Sequence, residues 1–193
     1  MNKATLDRDS LLWELGRFVN QFALTESMVF MFISQLIGLK REESAAIISG
    51  LKTDASITCI KRIFEARNQV IPKQISASLE QLNAINTFRN TVLHGGIDWS
   101  GLVSNHVKSL PTRTNSFTIK PANLANASVD LVAISTSLFI YHAPITSENE
   151  VETKRIHDLL TKPWLYISPQ PNKTHQQTRS SAPKNKRPRK PFL

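Results

Sequence analysis

Apolar residues recur at helical spacing over residues 11–39, in the longest periodic stretch of the chain. An apolar face of this length has to be buried against other elements. The stretch therefore predicts one long amphipathic helix around which the remaining elements pack. Its apolar stripe consists of Leu11, Leu15, Phe18, Phe22, Val29, Ile33 and Leu36, with Val19 and Ile37 beside it.

Glu26 interrupts this stripe at a position where the helical spacing asks for an apolar residue. An unpaired carboxylate in a buried face is strongly destabilising, because it loses its hydration without a compensating partner. The sequence therefore predicts a partner for Glu26 elsewhere in the fold.

A second apolar face lies on the same predicted helix and is formed by Trp13, Met28, Met31 and Phe32. A helix that is apolar on two faces is either enclosed within its domain or used in a contact between subunits. We interpret the second face as favouring a homodimer.

Five further helical segments follow, each with weaker periodicity. They are expected over about residues 43–49, 54–65, 73–93, 123–142 and 150–160. Asp54 is a candidate to cap the helix that begins there, and the pieces "GLVSNHV" and "SFTIKP" predict a small hairpin. The predicted fold class is all-α, an antiparallel helical bundle with a small β-hairpin insertion and a disordered basic C-terminal tail.

The basic residues are unevenly distributed along the chain. The formal net charge is +9, from 24 Lys and Arg against 15 Asp and Glu, and seven of the basic residues lie from Pro169 onward. Without those seven, 17 Lys and Arg face the same 15 acids, so the preceding body has a net charge of +2. The basic character therefore belongs to the tail.

The tail is rich in Pro, Ser, Gln and Lys and has almost no large apolar residue, so it cannot offset the entropy of ordering. We predict a helical domain over residues 1–165 and a disordered tail over residues 166–193. The tail either binds nucleic acid through its charge or acts as a solubilising extension. The candidate nucleic-acid contacts are Lys184, Lys186, Arg187, Arg189 and Lys190.

Cys59 is the single cysteine, which excludes an internal disulfide and fits a reducing compartment. The polar start of the chain lacks the order of a secretory signal, and apolar runs such as "MVFMFI" fall short of the roughly 18 residues that span a bilayer. The sequence has neither a glycine-rich phosphate loop nor a zinc-binding spacing. It predicts a soluble cytoplasmic protein with no membrane association, no metal and no cofactor.

The stretch "FRNTVLHGG", residues 88–96, places an arginine, an asparagine and a histidine at the end of the fourth predicted helix. At about 100° per residue, Arg89 falls inside the apolar arc of that helix, which is an unusual place for a guanidinium. Asn90 and His94 lie on one face. Positions 89 and 94 are about 140° apart on an ideal helix. The two side chains can therefore share a ligand only if the helix loosens at its end or a second chain contributes.

The segment "RNTVLH" resembles the signature of the HEPN superfamily, in which a polar residue follows an arginine and a histidine lies shortly beyond it. The helical pattern over residues 10–145 also resembles that all-helical fold, which makes the predicted domain HEPN-like. The resemblance implies a metal-independent endoribonuclease that leaves 2′,3′-cyclic phosphate and 5′-hydroxyl ends on RNA. Such enzymes act as homodimers in toxin–antitoxin or phage-defence systems, where an antitoxin or another regulatory protein controls them.

The same resemblance implies a role for each candidate catalytic residue. His94 would be the general acid or base, since an imidazole titrates near neutral pH. Arg89 would clamp the phosphate and the charge of the transition state. Asn90 would orient the phosphate or the histidine. Independently of the resemblance, both Glu26 and Arg89 lie in apolar stripes, so Glu26 is a candidate to pair with Arg89 and fix its direction.

Structural interpretations of the same residues are equally consistent with the sequence. His94 is suited to bind the last carbonyl groups of its helix, and Arg89 could form a buried ion pair with Glu26. Asn90 could be a solvated helix residue. The second class of function is then a catalytically inactive HEPN-like module that binds nucleic acid, a nucleotide or a protein partner.

Overall fold

The computed structural model describes residues 3–95, 97–98, 103–107, 114–142 and 150–168, with side chains described within 8–40, 42–93, 119–142 and 154–168. Within these ranges the helices are α1 (Lys3–Ile37), α2 (Arg41–Ile48), α3 (Thr53–Ala66), α4 (Lys73–Gly95), α5 (Pro121–His142) and α6 (Glu150–Thr161). The predicted all-α helical bundle is confirmed. Each predicted helix overlaps an observed one, and the largest difference is that α1 begins at Lys3 rather than near residue 11.

The centre of the bundle is the pair α1 and α5, which pack against each other more extensively than any other two helices. Thr25 of α1 lies beside Leu131 and Ser135 of α5, and its hydroxyl oxygen is 3.0 Å from that of Ser135. About two turns further along, the ring of Phe32 lies 5.4 Å from that of Tyr141. The two helices therefore run in the same direction. This pair departs from a purely antiparallel bundle because three helices and a small sheet carry the chain back to the starting end of α1.

The predicted stripe of α1 supplies much of the core. Its buried members are Leu11, Phe18, Phe22, Val29, Ile33 and Leu36, and Leu15 packs against them partly buried. Among the helices described, α5 by itself is long and apolar enough to cross a membrane, but half of its most apolar window is buried inside the bundle. The core helix of a soluble bundle has the same properties.

The second apolar face of α1 is divided between the core and the surface. Phe32 is only 1% exposed because it packs against α5, so it belongs to the core and not to this face. Trp13 is 73% exposed and Met31 is 45% exposed, while Met28 is partly buried. The exposed members leave apolar surface along α1, and the homodimer stays a prediction.

Two glycines in the left-handed conformation separate α2 from its neighbours. Gly38, with φ +71°, follows the end of α1, and Gly50, with φ +85°, lies between α2 and α3. Both turns favour glycine, since a side chain is strained at these φ values. At the start of α2, Glu43 accepts a hydrogen bond from the backbone N–H of Lys40 at 3.0 Å. At its end, the buried Ile48 packs into the core.

The helix α3 begins without the cap that the sequence predicted. Its N-cap residue is Lys52, no side chain makes a capping hydrogen bond, and Asp54 is already the second residue of the helix. The prediction of an Asp54 cap is therefore wrong, although an acidic residue in the first turn still interacts favourably with the helix dipole. At the other end, the guanidinium of Arg67 donates to the carbonyl oxygen of Leu36 and ties α3 to the end of α1.

A small antiparallel sheet follows α4 and packs against it. Its strands are β1 (Ile97–Asp98), β2 (Val103–Val107) and β3 (Thr114–Thr118), and β2 is central. The strands β2 and β3 form the predicted hairpin, with Asn105 opposite Ser116. The strand β1 was not predicted, since two residues are too few to show an alternating pattern.

The last described residues return to the bundle after α6. Residues 162–168, which we name the strap, are non-helical and carry Tyr166, which is 4% exposed. Tyr166 is part of the hydrophobic core. The packing of the domain therefore includes Tyr166, and the predicted boundary near residue 165 stays a prediction. Residues 169–193, on which the prediction of a disordered tail rests, lie outside the described residues.

Candidate functional site

The signature residues lie on the last turns of α4. Helical spacing turns Ile85, Phe88 and Val92 into the core, and Arg89 lies beside this buried face, partly buried. The guanidinium carbon of Arg89 is 5.2 Å from the centroid of the Phe22 ring on α1. This is the geometry of a cation–π contact. The arginine is therefore held between α4 and α1.

The second contact of Arg89 is with the next residue in the chain. Arg89 Nη1 donates a hydrogen bond to Asn90 Oδ1 at 3.1 Å. Among the described side chains, no carboxylate lies within ion-pair distance of Arg89. Several N–H donors of the guanidinium therefore remain available to a ligand, and no described acid neutralises its charge. These are the properties with which an arginine binds a phosphate.

His94 lies on the last turn of α4, whose helical conformation continues to Gly95. The helix therefore does not loosen between the arginine and the histidine, which was one of the two ways in which these residues could meet. Positions 89 and 94 remain about 140° apart around the axis of a regular helix. The side chain of His94 lies outside the described side chains, so its catalytic role stays a prediction.

Glu26 has a partner, as the sequence predicted, but that partner is Thr53. Glu26 Oε1 accepts a hydrogen bond from Thr53 Oγ1 at 2.7 Å, at the first residue of α3. No ion pair between Glu26 and Arg89 occurs among the described side chains. The start of α3 lies against α1 at Glu26, whereas Arg89 is held one helical turn away at Phe22. Glu26 therefore gives Arg89 no direct support.

A buried carboxylate that the sequence analysis missed anchors the strap. Asp130 of α5 is 3% exposed and accepts three hydrogen bonds. Its Oδ2 accepts from Gln81 Nε2 and from the Tyr166 backbone N–H, both at 2.8 Å, and its Oδ1 accepts from the Leu165 backbone N–H at 3.0 Å. Gln81 Nε2 also donates to the Tyr166 carbonyl oxygen at 3.0 Å. Asp130 and Gln81 thus bind the strap to α4 and α5 together.

The signal that would have revealed Asp130 is present in the sequence. Asp130 directly precedes Leu131 and stands beside the apolar spacing that predicts α5. The rule applied to Glu26, that a carboxylate in a buried face needs a partner, applies here equally. This reasoning predicts that Asp130 needs a partner, but it does not identify the strap as that partner.

A series of aromatic rings connects the strap with Phe22, the ring that Arg89 contacts. The centroid of the Tyr166 ring is 5.0 Å from that of Phe88, Phe88 is 5.7 Å from Phe18, and Phe18 is 6.2 Å from Phe22. Burial raises the pKa of the Tyr166 phenol to about 12, while its hydrogen bond with Ser168 acts in the opposite direction. A displacement of the strap would therefore disturb the packing beneath the arginine.

The five candidate nucleic-acid contacts of the tail lie outside the described residues. They are Lys184, Lys186, Arg187, Arg189 and Lys190. The described chain ends at Ser168, two positions after the buried Tyr166.

Comparison with protein-family models, with curated proteins and with solved structures gives no match for this chain.

Proposed function

We propose that the protein is a metal-independent endoribonuclease of the HEPN type, cytoplasmic and active in a toxin–antitoxin or phage-defence system. The observation that carries the proposal is the state of Arg89. It is partly buried, oriented by Asn90 and Phe22, and paired with no described carboxylate. It lies on the same helix end as His94, in the order that resembles the HEPN signature.

The reaction assigned to these residues is an intramolecular transesterification of the RNA backbone. The 2′-oxygen of the RNA loses its proton and attacks the adjacent phosphorus. The bond from phosphorus to the 5′-oxygen breaks, and this 5′-oxygen takes up a proton. His94 is the general acid or base for these proton transfers. Arg89 binds the non-bridging oxygens, whose negative charge increases in the transition state. The products are a 2′,3′-cyclic phosphate and a 5′-hydroxyl.

A homodimer is part of the proposal. Because α4 is helical to Gly95, Arg89 and His94 of one chain occupy positions about 140° apart. A phosphate held by Arg89 of one copy can instead meet His94 of a second copy. The exposed Trp13 on α1 offers apolar surface for such an association.

The second candidate function is a catalytically inactive HEPN-like module that binds nucleic acid, a nucleotide or a protein partner. The near-neutral body favours it, since a net charge of +2 before Pro169 gives little electrostatic attraction for RNA. The contact of Arg89 with Phe22 is also compatible with a purely structural arginine.

The decisive experiment is incubation of the purified protein with a mixed RNA pool in the presence of EDTA, followed by mapping of the cut ends. The double variant Arg89→Ala/His94→Ala, purified in the same way, controls for contaminating ribonuclease. Ends with a 2′,3′-cyclic phosphate from the wild type alone are the expected result. RNA that is bound but left intact by the wild type would instead favour the inactive module.

Removal of residues 169–193 is expected to weaken RNA binding at low salt and to leave thermal unfolding unchanged. The deletion takes away seven positive charges. If all seven contact phosphates, the slope of log affinity against log salt falls by up to about 5 for a single strand. Filter binding at several salt concentrations measures the slope. Equal slopes for the full chain and the deletion would assign the tail a solubilising role.

A further inference from the structure

A pocket of about 730 Å³ lies between α1, α2 and α3. Its buried walls include Val29 and Ile33 from α1, Ile48 from α2 and Thr53 from α3. Arg89 is not among the lining residues. The volume falls within the range of small-molecule sites in proteins.

Among the described residues that line this pocket, Glu26 is the one with a charged side chain. Its Oε1 is occupied by the hydroxyl of Thr53 at 2.7 Å. No described cation lies within ion-pair distance of its carboxylate. The start of α3 adds the positive end of a helix dipole, but that end is equivalent to only about half an elementary charge. The pocket therefore keeps a net negative charge at Glu26.

The pocket surface around this carboxylate is largely apolar. Phe30 and Met31 of α1 and Leu51, before α3, contribute apolar side chains, and Met31 and Leu51 are exposed. A ligand that fills the pocket has to offer apolar surface to these side chains. It also has to satisfy Glu26, because an uncharged apolar occupant would leave the carboxylate desolvated and unpaired.

We propose that this pocket binds a small organic cation, an apolar body that carries one protonated amine. The ammonium group lies at Glu26, where it donates to the carboxylate oxygen that Thr53 leaves free. The apolar body covers Met31 and Leu51. The site is separate from the proposed ribonuclease centre, so either proposal can fail without the other.

The test uses three probes of equal length that differ in the head group: octylammonium, octanol and octanoate. The chain has three methionines, and of the two on the body of α1 only Met31 lines the pocket, whereas Met28 does not. Carbon-13 labelling of the methionine methyl groups gives one NMR signal for each, and Met31→Leu assigns the signal of Met31. Octylammonium is expected to shift this signal saturably, with octanol at least about tenfold weaker.

Glu26→Gln removes the charge at nearly constant shape and is expected to weaken octylammonium binding about tenfold or more. The matched control is Glu80→Gln on α4. Glu80 likewise accepts a hydrogen bond from a hydroxyl group, that of Ser76 at 3.2 Å, but does not line the pocket. Its substitution should leave binding unchanged. Circular dichroism verifies that both variants are folded.

Ser27→Lys is a second variant that keeps Glu26 in place. Ser27 is exposed and lines the pocket, so a lysine there is compatible with the fold and supplies a competing ammonium group to Glu26. Octylammonium binding should fall in this variant as well.

Several results would overturn the proposal. An unmoved Met31 signal at millimolar octylammonium means that the pocket does not bind it. Equal affinity for octanol and octylammonium would mean that the charge of Glu26 does not contribute to binding. Wild-type affinity for octylammonium in Glu26→Gln would mean the same. Tighter binding of octanoate makes the start of α3 an anion site. Parallel shifts of Met28 and Met31 indicate unspecific adsorption along α1.

Discussion

Asp130→Asn is expected to lower the free energy of unfolding by about 3 kcal/mol, since hydrogen bonds to a charged acceptor contribute roughly 1.5–3 kcal/mol each and are not fully additive. The new amide has nearly the same shape, but its nitrogen must face either the Leu165 N–H or the donors from Gln81 and Tyr166. Release of the strap limits the loss, because the freed N–H groups then reach water. Urea unfolding followed by far-ultraviolet circular dichroism measures the change.

Asp158→Asn is the matched control, because Asp158 is exposed on α6. Its effect should stay below about 0.5 kcal/mol, as is usual for surface substitutions. A local readout separates strap release from general loosening. The pKa of Tyr166, raised by burial to about 12 in the wild type, should move back toward its ordinary value in Asp130→Asn. Equal stability of the two variants would show that Asp130 does not anchor the strap.

Arg89→Lys is expected to reduce RNA cleavage about hundredfold, since loss of one positioned donor to a transition-state oxygen typically costs that much or more. The lysine keeps the positive charge and can still lie over the Phe22 ring, but it has no planar fork of N–H donors. RNA affinity should therefore change much less than the rate. Single-turnover cleavage and equilibrium binding, measured on the same RNA, separate the two effects.

Arg62→Lys, on the exposed surface of α3, controls for the chemical change from arginine to lysine. It should cleave at the wild-type rate. If Arg89 is structural, Arg89→Lys will also cleave at the wild-type rate, and Arg89→Leu will show a loss of stability without a specific loss of activity. That outcome would remove Arg89 from the catalytic centre.

The elements of the fold could be predicted from the sequence because each carries its own periodic signal. The stripe from Leu11 to Leu36 specifies α1 and the residues it buries, and the terminators near Gly95 specify the end of α4. The direction of α5 relative to α1 has no such signal, since periodicity defines a face but not the helix that meets it. For the same reason Glu26 could be predicted to need a partner, while Thr53 could not be identified as that partner.

The sequence identifies the residues of the candidate site, but it does not show which side chains they contact in the fold. The order of Arg89, Asn90 and His94 is visible in the sequence, and so is the unusual place of the arginine in an apolar arc. The Phe22 ring beneath it comes from a helix more than sixty positions earlier in the chain. Tyr166 lies one position beyond the predicted end of the domain at residue 165, and the side chains of Asp130 and Gln81 that hold its backbone are distant in sequence.

The parallel pairing of α1 with α5 also determines when the protein can fold during its synthesis. The contact between Thr25 and Leu131 spans 106 positions of the chain. At typical rates of about 5–20 residues per second, the ribosome needs roughly 5 to 20 seconds to make the segment that covers the apolar stripe of α1. Throughout that interval the nascent chain presents an amphipathic helix without its partner, which is the kind of surface that chaperones near the ribosome bind.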